Sequence, residues 1–417
     1  VRTEVVVIGA GHSGLSMSQR LAERGIDHVV LERGEPGNSW RTERWESLRL
    51  LTPNWQTGLP GHDYAGDDPD GFMGSREVAA HLARYAEVIA APVRAGVTVT
   101  SVAPSDDGYR VTTDHGVWEA PAVVLANGGS GIPNVPSLAE GVPDGVLSLS
   151  AKDYRSPEQL PDGGVLVVGA SASGVQLADE LARNGRDVTI STGEHVRMPR
   201  SYRGRDIFWW MDAAGVLDER WHEIDDIVRA RHVPSPQLVG DPERGVGIGA
   251  LRERGIRIVG RLGRVHDGVA QFSGGLANTV RLADLKLDRL LERFDAWAAE
   301  TDAEVGEVER FAPTEVDASP RLELDLVRER VGTVLWATGY RPDYSWLEVP
   351  VLDYKGRLWH EGGVIPEAPG LYVLGTSLLR RRRSTYISGA AHDTAELAEH
   401  LADYLGGRAP QRVEIAS

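Results

Sequence analysis

The feature that most constrains this chain is a glycine turn caught between an apolar strand and an amphipathic helix. Glu4-Val-Val-Val-Ile8 reads as a buried parallel strand, and Gly9-Ala-Gly11-His-Ser13-Gly14 follows at once. Helical periodicity then runs from about Leu15 to Arg24, with Gly25 placed to end it, and a second strand, His28 to Leu31, finishes on Glu32. Each part has a mechanical reason. Gly9 permits the tight turn, Gly11 lets the backbone approach a pyrophosphate on the helix N-terminus, and Gly14 lets helix and strand pack closely. Glu32 is placed to accept hydrogen bonds from a ribose diol. The expectation is a dinucleotide-binding unit.

The pattern recurs at Gly169-Ala-Ser171-Ala-Ser173-Gly174, preceded by Gly163-Gly-Val-Leu-Val-Val168 and followed by a helix from about Val175 to Arg183 and a strand, Asp187 to Ile190. Ser171 replaces the middle glycine but is still small. Glu32 lies 23 positions after Gly9, and the same step from Gly169 reaches Thr192, in Ile190-Ser191-Thr192-Gly193. The ribose acid is therefore missing, and Arg197, Arg200, Arg203 and Arg205 follow it. Hydroxyls and guanidiniums in place of a carboxylate suit a 2′-phosphate, so the second nucleotide is expected to be NADP rather than NAD, with Ser191, Thr192, Arg197 and Arg200 at its ribose.

A chain of 417 residues is long enough for two cores. Val123-Val-Leu-Ala126-Asn127-Gly128-Gly129 reads as the end of one segment, and Thr333-Val-Leu-Trp-Ala337-Thr338-Gly339-Tyr340 as the start of another. The fold class expected is α/β with two Rossmann-like dinucleotide-binding domains. The first is discontinuous over 1–150 and 331–417, and the second is inserted at 151–330. Short strands are expected over Val93–Val102 and Tyr109–Thr113, a long surface helix over Leu276–Glu300, a last strand over Gly370–Leu374 and a last helix over Thr394–Leu405. Residues 217–247 give no regular pattern, and the tail from Gly406 reads as loose.

Composition removes several classes. With no cysteine there is no disulfide, no thiolate metal site and no redox dithiol, and no metal site is expected. A formal net charge of −16 disfavours nucleic acid and anionic membranes as partners. No apolar run approaches a membrane span and no basic-then-apolar leader precedes the first strand, so the cytoplasm is the expected compartment. A homodimer is compatible with the sequence. Basic residues are overwhelmingly Arg, with Lys at 152, 286 and 355 alone.

Taken together, G-A-G-H-S-G (9–14), W-E-S-L-R-L-L-T-P-N-W (45–55), D-P-D-G-F-M (68–73), G-A-S-A-S-G (169–174), Y-R-G-R-D (202–206), A-T-G-Y-R-P-D (337–343) and L-R-R-R-R-S-T-Y-I (379–387) resemble the class B flavin-dependent monooxygenases over essentially the whole chain. The resemblance implies FAD in the first unit and NADPH in the second, with molecular oxygen and a small molecule as substrates. It also implies a C(4a)-hydroperoxyflavin that oxygenates nitrogen or sulfur or hydroxylates a ring. Asn54 matches a family amide at the reacting flavin edge, where a neutral group supports a peroxide without protonating it. Trp40 and Arg41 match positions against the isoalloxazine and pyrophosphate. Arg33, Thr52, Val102, Ala126, Asn127, Gly128, Ala337, Thr338, Gly339, Tyr340 and Gly375 are the remaining cofactor-binding residues it implies, and the arginine run 380–383 is expected to bind a phosphate or carboxylate.

Two departures keep other readings open. The family signature has a His before the second glycine turn, where Leu149-Ser150-Ala151-Lys152-Asp153-Tyr154 places Ser150. Arg155 stands where Baeyer–Villiger members have Trp-Pro. The alternatives are an NADPH-dependent flavin reductase or oxidase releasing hydrogen peroxide, a Baeyer–Villiger-type monooxygenase, and a non-catalytic redox-sensing flavoprotein.

Overall fold

In the computed structural model, which describes residues 1–407, the chain builds two parallel five-stranded sheets of one design. The first contains β1 (Val5–Ile8), β2 (His28–Leu31), β3 (Val93–Arg94) and β4 (Ala122–Leu125). The second contains β5 (Leu147–Ser150), β6 (Gly164–Val168), β7 (Val188–Thr192), β8 (Arg257–Gly260) and β9 (Val331–Trp336). The chain then returns to the first sheet as β10 (Leu371–Val373). The strand orders are β10-β4-β1-β2-β3 and β5-β9-β6-β7-β8, with β1 and β6 central and parallel to both neighbours. All four residues of β1 are buried, as are the last four of β6, which is why these strands read as unbroken apolar runs.

Helix α1 (His12–Ala22) follows β1 and α2 (Ala172–Arg183) follows β6. Each unit also carries a three-stranded antiparallel meander, at 99–120 in the first and 262–325 in the second. Helix α3 (Ile207–Ala213) and the long α4 (Leu276–Thr301) share a core in which Phe208 and Trp210 meet Leu287, Leu291 and Phe294. Helix α5 (Gly389–Leu405) packs on α1.

The expected domain limits need correcting. Leu147–Ser150 and Val331–Trp336 were assigned to the first unit but pair with each other, and β9 pairs with β6, so both belong to the second sheet. The cause is register: β9 is the counterpart of β4, and each sits beside the central strand so that its exit loop can reach the glycine turn. The strand expected over Val93–Val102 breaks at 95–98, and residues 217–247 contain only the short turns Trp221–Glu223 and Ile227–Ala230. The tail expected to be loose lies, beyond Gly407, outside the described residues.

Candidate functional site

Both glycine turns are steric necessities. Gly9 has φ +108°, and a Cβ there would sit 2.5 Å from the Ala126 carbonyl oxygen. A Cβ on Gly14 would sit 1.9 Å from the Gly9 oxygen. Gly11 differs: its φ of −81° suits any residue, and a Cβ there would meet nothing within 4 Å. The chain itself does not require glycine at 11, so the cradle is left for a group lying against the start of α1. That helix begins without a capping side chain, and its first amides face the same place. Glu32, buried at the end of β2, accepts from the amides of Ala10 (2.8 Å) and Gly34 (3.0 Å), which fixes its carboxylate beside the turn.

The second turn repeats this. Gly169 has φ +107°, a Cβ on it would sit 2.4 Å from the Ala337 oxygen, and one on Gly174 would sit 1.9 Å from the Gly169 oxygen. Ser171 adopts nearly the backbone of Gly11, with φ −85° against −81°. Ser173 follows in the first turn of α2. Residues 235–237 cover this cradle: Ala172 N–H donates to the Ser235 carbonyl (3.4 Å) and Gln237 donates its amide to the Ala170 carbonyl (2.7 Å).

Several buried polar atoms without partners converge near the first turn. They are His12 Nε2, Ser13 Oγ, Thr376 Oγ1, both ends of the Gln56 amide and Ser388 Oγ. Gly375, at φ +73°, brings its loop to Ser13, since a Cβ there would lie 2.9 Å from Ser13 Oγ. Ser388 N–H donates to the Gln56 carbonyl (3.2 Å), which seats the start of α5 against the turn Asn54–Thr57. A buried polar atom left unpaired costs about 1–3 kcal/mol, so a set facing one region fits a polar ligand. The heterocycle of a flavin, rimmed with carbonyls and ring nitrogens, suits such a set. Burial also pushes the His12 imidazole down to about 4, so it is neutral at physiological pH. Gln56 and Thr376 were missed from the sequence; Gln56 sat beside a motif residue, but burial without a partner is visible only in three dimensions.

The short helix Asn38–Thr42, bearing Trp40 and Arg41, is tied to this cradle by a bond from Gly37 N–H to the Ala10 carbonyl (3.0 Å). Trp40 carries Arg44 5.3 Å from its ring centroid, while Arg41 is exposed and has no partner among the described residues. Arg33 pairs with Glu43. Thr52 is buried ahead of the Asn54 turn. Asn54 is buried too, its Oδ1 accepting from Met73 N–H (2.9 Å) and its Nδ2 donating to the Asp68 carbonyl (2.9 Å). Half of its hydrogen-bonding capacity therefore fastens the 68–73 loop. Asn127 donates to the Asp343 carbonyl (3.0 Å), Gly128 turns with φ +74°, Thr338 donates to the Asn134 carbonyl (2.5 Å), Gly339 has φ +84°, and Tyr340 pairs with Pro133. These contacts place the loops after β4 and β9 side by side between the cradles.

Other expected residues lie elsewhere. Val102 is fully buried, with its N–H bonded to Trp346 and its carbonyl to Glu348, so it has nothing to offer a nucleotide. Ser191 Oγ ties β7 to Gly260 and Leu262, a structural task. Thr192, in register with Gly260, keeps a buried hydroxyl without a partner. Arg197 is committed to Asp284 (2.6 Å) and the Ala312 carbonyl. Arg200 bonds the Leu51 carbonyl and Asp206 (2.7 Å each) and lies over the rings of Phe72 and Phe208. Neither guanidinium is free for a 2′-phosphate. Arg261, overlooked in the sequence, stands against Gly193: a Cβ there would meet its Cγ at 3.8 Å. It is exposed and has no ion-pair partner among the described residues. Its signal was its place, one residue beyond the strand beside β7.

The run 380–383 does not wait for a ligand either. Arg380 and Arg381 pair with Glu396 of α5, Arg382 with Glu219, and Arg383 with Asp212 and Asp218, so the chain's own carboxylates hold the loop to α5 on one side and to the second unit on the other. Where the family signature has its His, Ser150 donates to Asp153 (2.5 Å), and the same segment is held to the first unit by Arg155 on the Thr42 carbonyl (2.7 Å) and Lys152 on Glu43 (3.3 Å).

Comparison with known proteins places this geometry. Residues 6–205 match the family model described as pyridine nucleotide-disulphide oxidoreductase. An uncharacterized CzcO-like oxidoreductase of Geobacillus kaustophilus is 30% identical over 404 residues, covering 96% of this chain and 99% of that protein. The chain belongs to the CzcO-like oxidoreductases. This family falls in the flavin-monooxygenase-like group. Indole-3-pyruvate monooxygenase YUCCA1 of Oryza sativa is 30% identical over 49% of this chain and 51% of its own length. A flavin-containing monooxygenase from Stenotrophomonas maltophilia shares the fold, with a TM-score of 0.68 at 21% identity over 97% of this chain and 99% of that one. The disulphide chemistry in the family model's description has no counterpart in a chain of 417 residues without cysteine. No helix among the described residues is long and apolar enough to cross a membrane.

Proposed function

We propose that this oxidoreductase is an NADPH-dependent flavin monooxygenase of the cytoplasm, with FAD in the first cradle and NADP in the second. Its substrates are molecular oxygen and a small molecule, which it oxygenates at nitrogen or sulfur or hydroxylates. The observation that carries the reading is the pairing of an acid-bearing cradle with an acid-free one in a chain that lacks cysteine. Electrons delivered from one nucleotide to the other then have no dithiol to leave by. FAD held in the first cradle would supply the redox chemistry that activates oxygen.

The chain's own residues divide the remaining work. Gly11 and the start of α1 would hold a pyrophosphate and Glu32 the adenine-side ribose. Ser13, Thr376, Gln56 and Ser388 would receive the polar rim of the flavin ring. Asn54 presents a neutral amide, and the neutral His12 offers no imidazolium proton, so this pocket is poor in acids that would release peroxide. Lys152 and Arg155 hold the two units together where Ser150 replaces the signature His.

The test is turnover under isotopically labelled oxygen with a panel of amines, sulfides and aromatic metabolites, measuring NADPH consumed and hydrogen peroxide formed. Label in a product, with peroxide below NADPH, is the expected result. Peroxide equal to NADPH with every compound would overturn the reading in favour of an oxidase.

A further inference from the structure

Outside both cradles, a cleft of about 340 Å³ opens between the units, lined by Trp55, Pro69 and Asp70 from the first and Trp209, Asp212 and Ala213 from the second. Its walls are fixed. Trp55 N–H donates to the Pro69 carbonyl and Asn54 N–H to that of Gly71 (2.9 Å each), which zips the 54–57 turn to the 68–73 loop. Arg200 clamps the opposite wall, joining Leu51 of the first unit to Asp206, the N-cap of α3, while lying 4.8 Å from the centroid of Phe72. Trp209 is further braced edge-on by Trp210 and Trp297. The cleft is thus preformed, and its volume lies within the range of small-molecule sites.

Its chemistry is selective. Two indoles supply apolar walls, and the charge between them is negative. Asp70 has no cationic partner among the described residues, and Arg383 is shared between Asp212 and Asp218, leaving one carboxylate charge over. Arg205, which lies 5.1 Å from the centroid of Trp209 and has no carboxylate partner among the described residues, offsets part of this: Asp70, Asp212 and Asp218 against Arg383 and Arg205 leave a surplus of one negative charge. By contrast, another cavity, of about 290 Å³, has two acids, two arginines and no aromatic wall. Trp55 is the neighbour of Asn54, so a ligand crossing it arrives at the turn that also carries Gln56.

We propose that this cleft is the substrate-recognition site and that it takes a protonated amine on a compact apolar body. The ammonium is held by Asp70 and the indole faces, and the body by Trp55 and Trp209. What becomes of the ligand rests on the monooxygenase reading; that it binds here does not.

The experiment is calorimetric titration of the full chain, loaded with FAD and NADP⁺, with 2-phenylethylamine, 2-phenylethanol and 3-phenylpropionate near neutral pH. The amine should bind about tenfold or more tightly than the alcohol, and the acid most weakly. Asp70→Asn, on an exposed loop, should remove most of the amine's advantage and leave the alcohol unchanged. Trp209→Leu should weaken both. Equal or tighter binding of the alcohol or acid, an unaltered amine affinity in Asp70→Asn, or no binding of any of the three overturns the proposal. Amine binding with peroxide equal to NADPH for every compound of the panel would sink the monooxygenase reading alone, and labelled product from an amine that ignores Asp70→Asn would sink this site alone.

Discussion

The two cradles can be laid on each other by adding 160 to the residue number: Gly9 on Gly169, Gly14 on Gly174, Glu32 on Thr192. The steric parts are identical to within 0.1 Å, since a Cβ would stand 2.5 or 2.4 Å from an alanine carbonyl at the first glycine and 1.9 Å from the turn at the last. The chemical parts differ at three positions: Gly11 against Ser171, His12 against Ala172, Glu32 against Thr192. The first cradle is open at its helix start and anchors an acid, whereas the second is covered by Ser235 and Gln237 and has lost the acid. The turn is therefore a shared scaffold, and nucleotide choice lies in the few side chains that sterics leave alone.

The largest effect should come from breaking the shared part. Gly14→Ala and Gly174→Ala each drive a Cβ into a backbone oxygen, where nothing flexible can yield, and should destabilise by more than about 3 kcal/mol, or prevent folding. Gly11→Val should do neither, because its Cβ meets no protein atom; it should instead give a folded but colourless protein. Absorbance of the flavin and urea unfolding of the purified variants check this. A yellow Gly11→Val with one FAD per chain would show that the first cradle is misplaced.

This contrast also explains what could be read without coordinates. Glycine spacing, strand and helix periodicity and the missing acid at Thr192 are local, and the sequence carried them. Partners are not local. Arg197 and Arg200 looked like phosphate ligands because they follow Thr192, but Asp284 comes from a helix far along the chain and Leu51 from the other unit. The same holds for Arg380–Arg383, whose carboxylates lie at 212–219 and 393–396. The edges of the inserted unit shifted because β9 is an apolar run of the kind either sheet would accept and β5, Leu-Ser-Leu-Ser, is a short edge strand with no mark of its own, so only pairing tells which sheet each joins.

His12 against Ala172 gives the next prediction. In the apoprotein the His12 imidazole is held down to about 4 by burial, against an ordinary value of 6.5. The unfolded chain binds this proton more readily between those limits, so the folded state loses stability as pH falls from 6.5 towards 4, by about 3 kcal/mol from this group. Subtracting the pH profile of His12→Asn from that of wild type, by urea midpoints on apoprotein, should leave a slope of this sign and size. A flat difference would mean that the imidazole is hydrated in the folded apoprotein.

Asn54 has no counterpart in the second cradle's neighbourhood, and its role is a proposal to be divided. Its amide fastens the 68–73 loop through Met73 and Asp68, its second N–H makes a long bond to the Tyr64 hydroxyl (3.5 Å), and one acceptor site is kept for a ligand. Asn54→Ala should cost about 1–3 kcal/mol of stability from those two bonds. If the amide also serves oxygen transfer, the peroxide formed per NADPH should rise while flavin reduction by NADPH continues. Reduced stability with unchanged peroxide would leave it a loop fastener.

The smallest effect tests the coenzyme, where the two cradles differ most in charge. Thr192 removes the acid that would repel a 2′-phosphate, and Arg261 supplies a guanidinium beside Gly193 that no carboxylate among the described residues neutralises. NADPH should be preferred over NADH by about tenfold or more, which is about 1.4 kcal/mol. Arg261→Ala should remove most of that preference by raising the KM for NADPH and leaving NADH unchanged, since only the phosphate is lost as a partner. Arg197→Ala should instead lower thermal stability and affect both coenzymes alike, because Arg197 holds Asp284 and the 312 loop. Reduction kinetics with both coenzymes, beside a melting curve for each variant, separate the two arginines. A preference that survives Arg261→Ala and falls in Arg197→Ala would show that the Asp284 pair opens on binding, and would return the phosphate site to the residues the sequence first suggested.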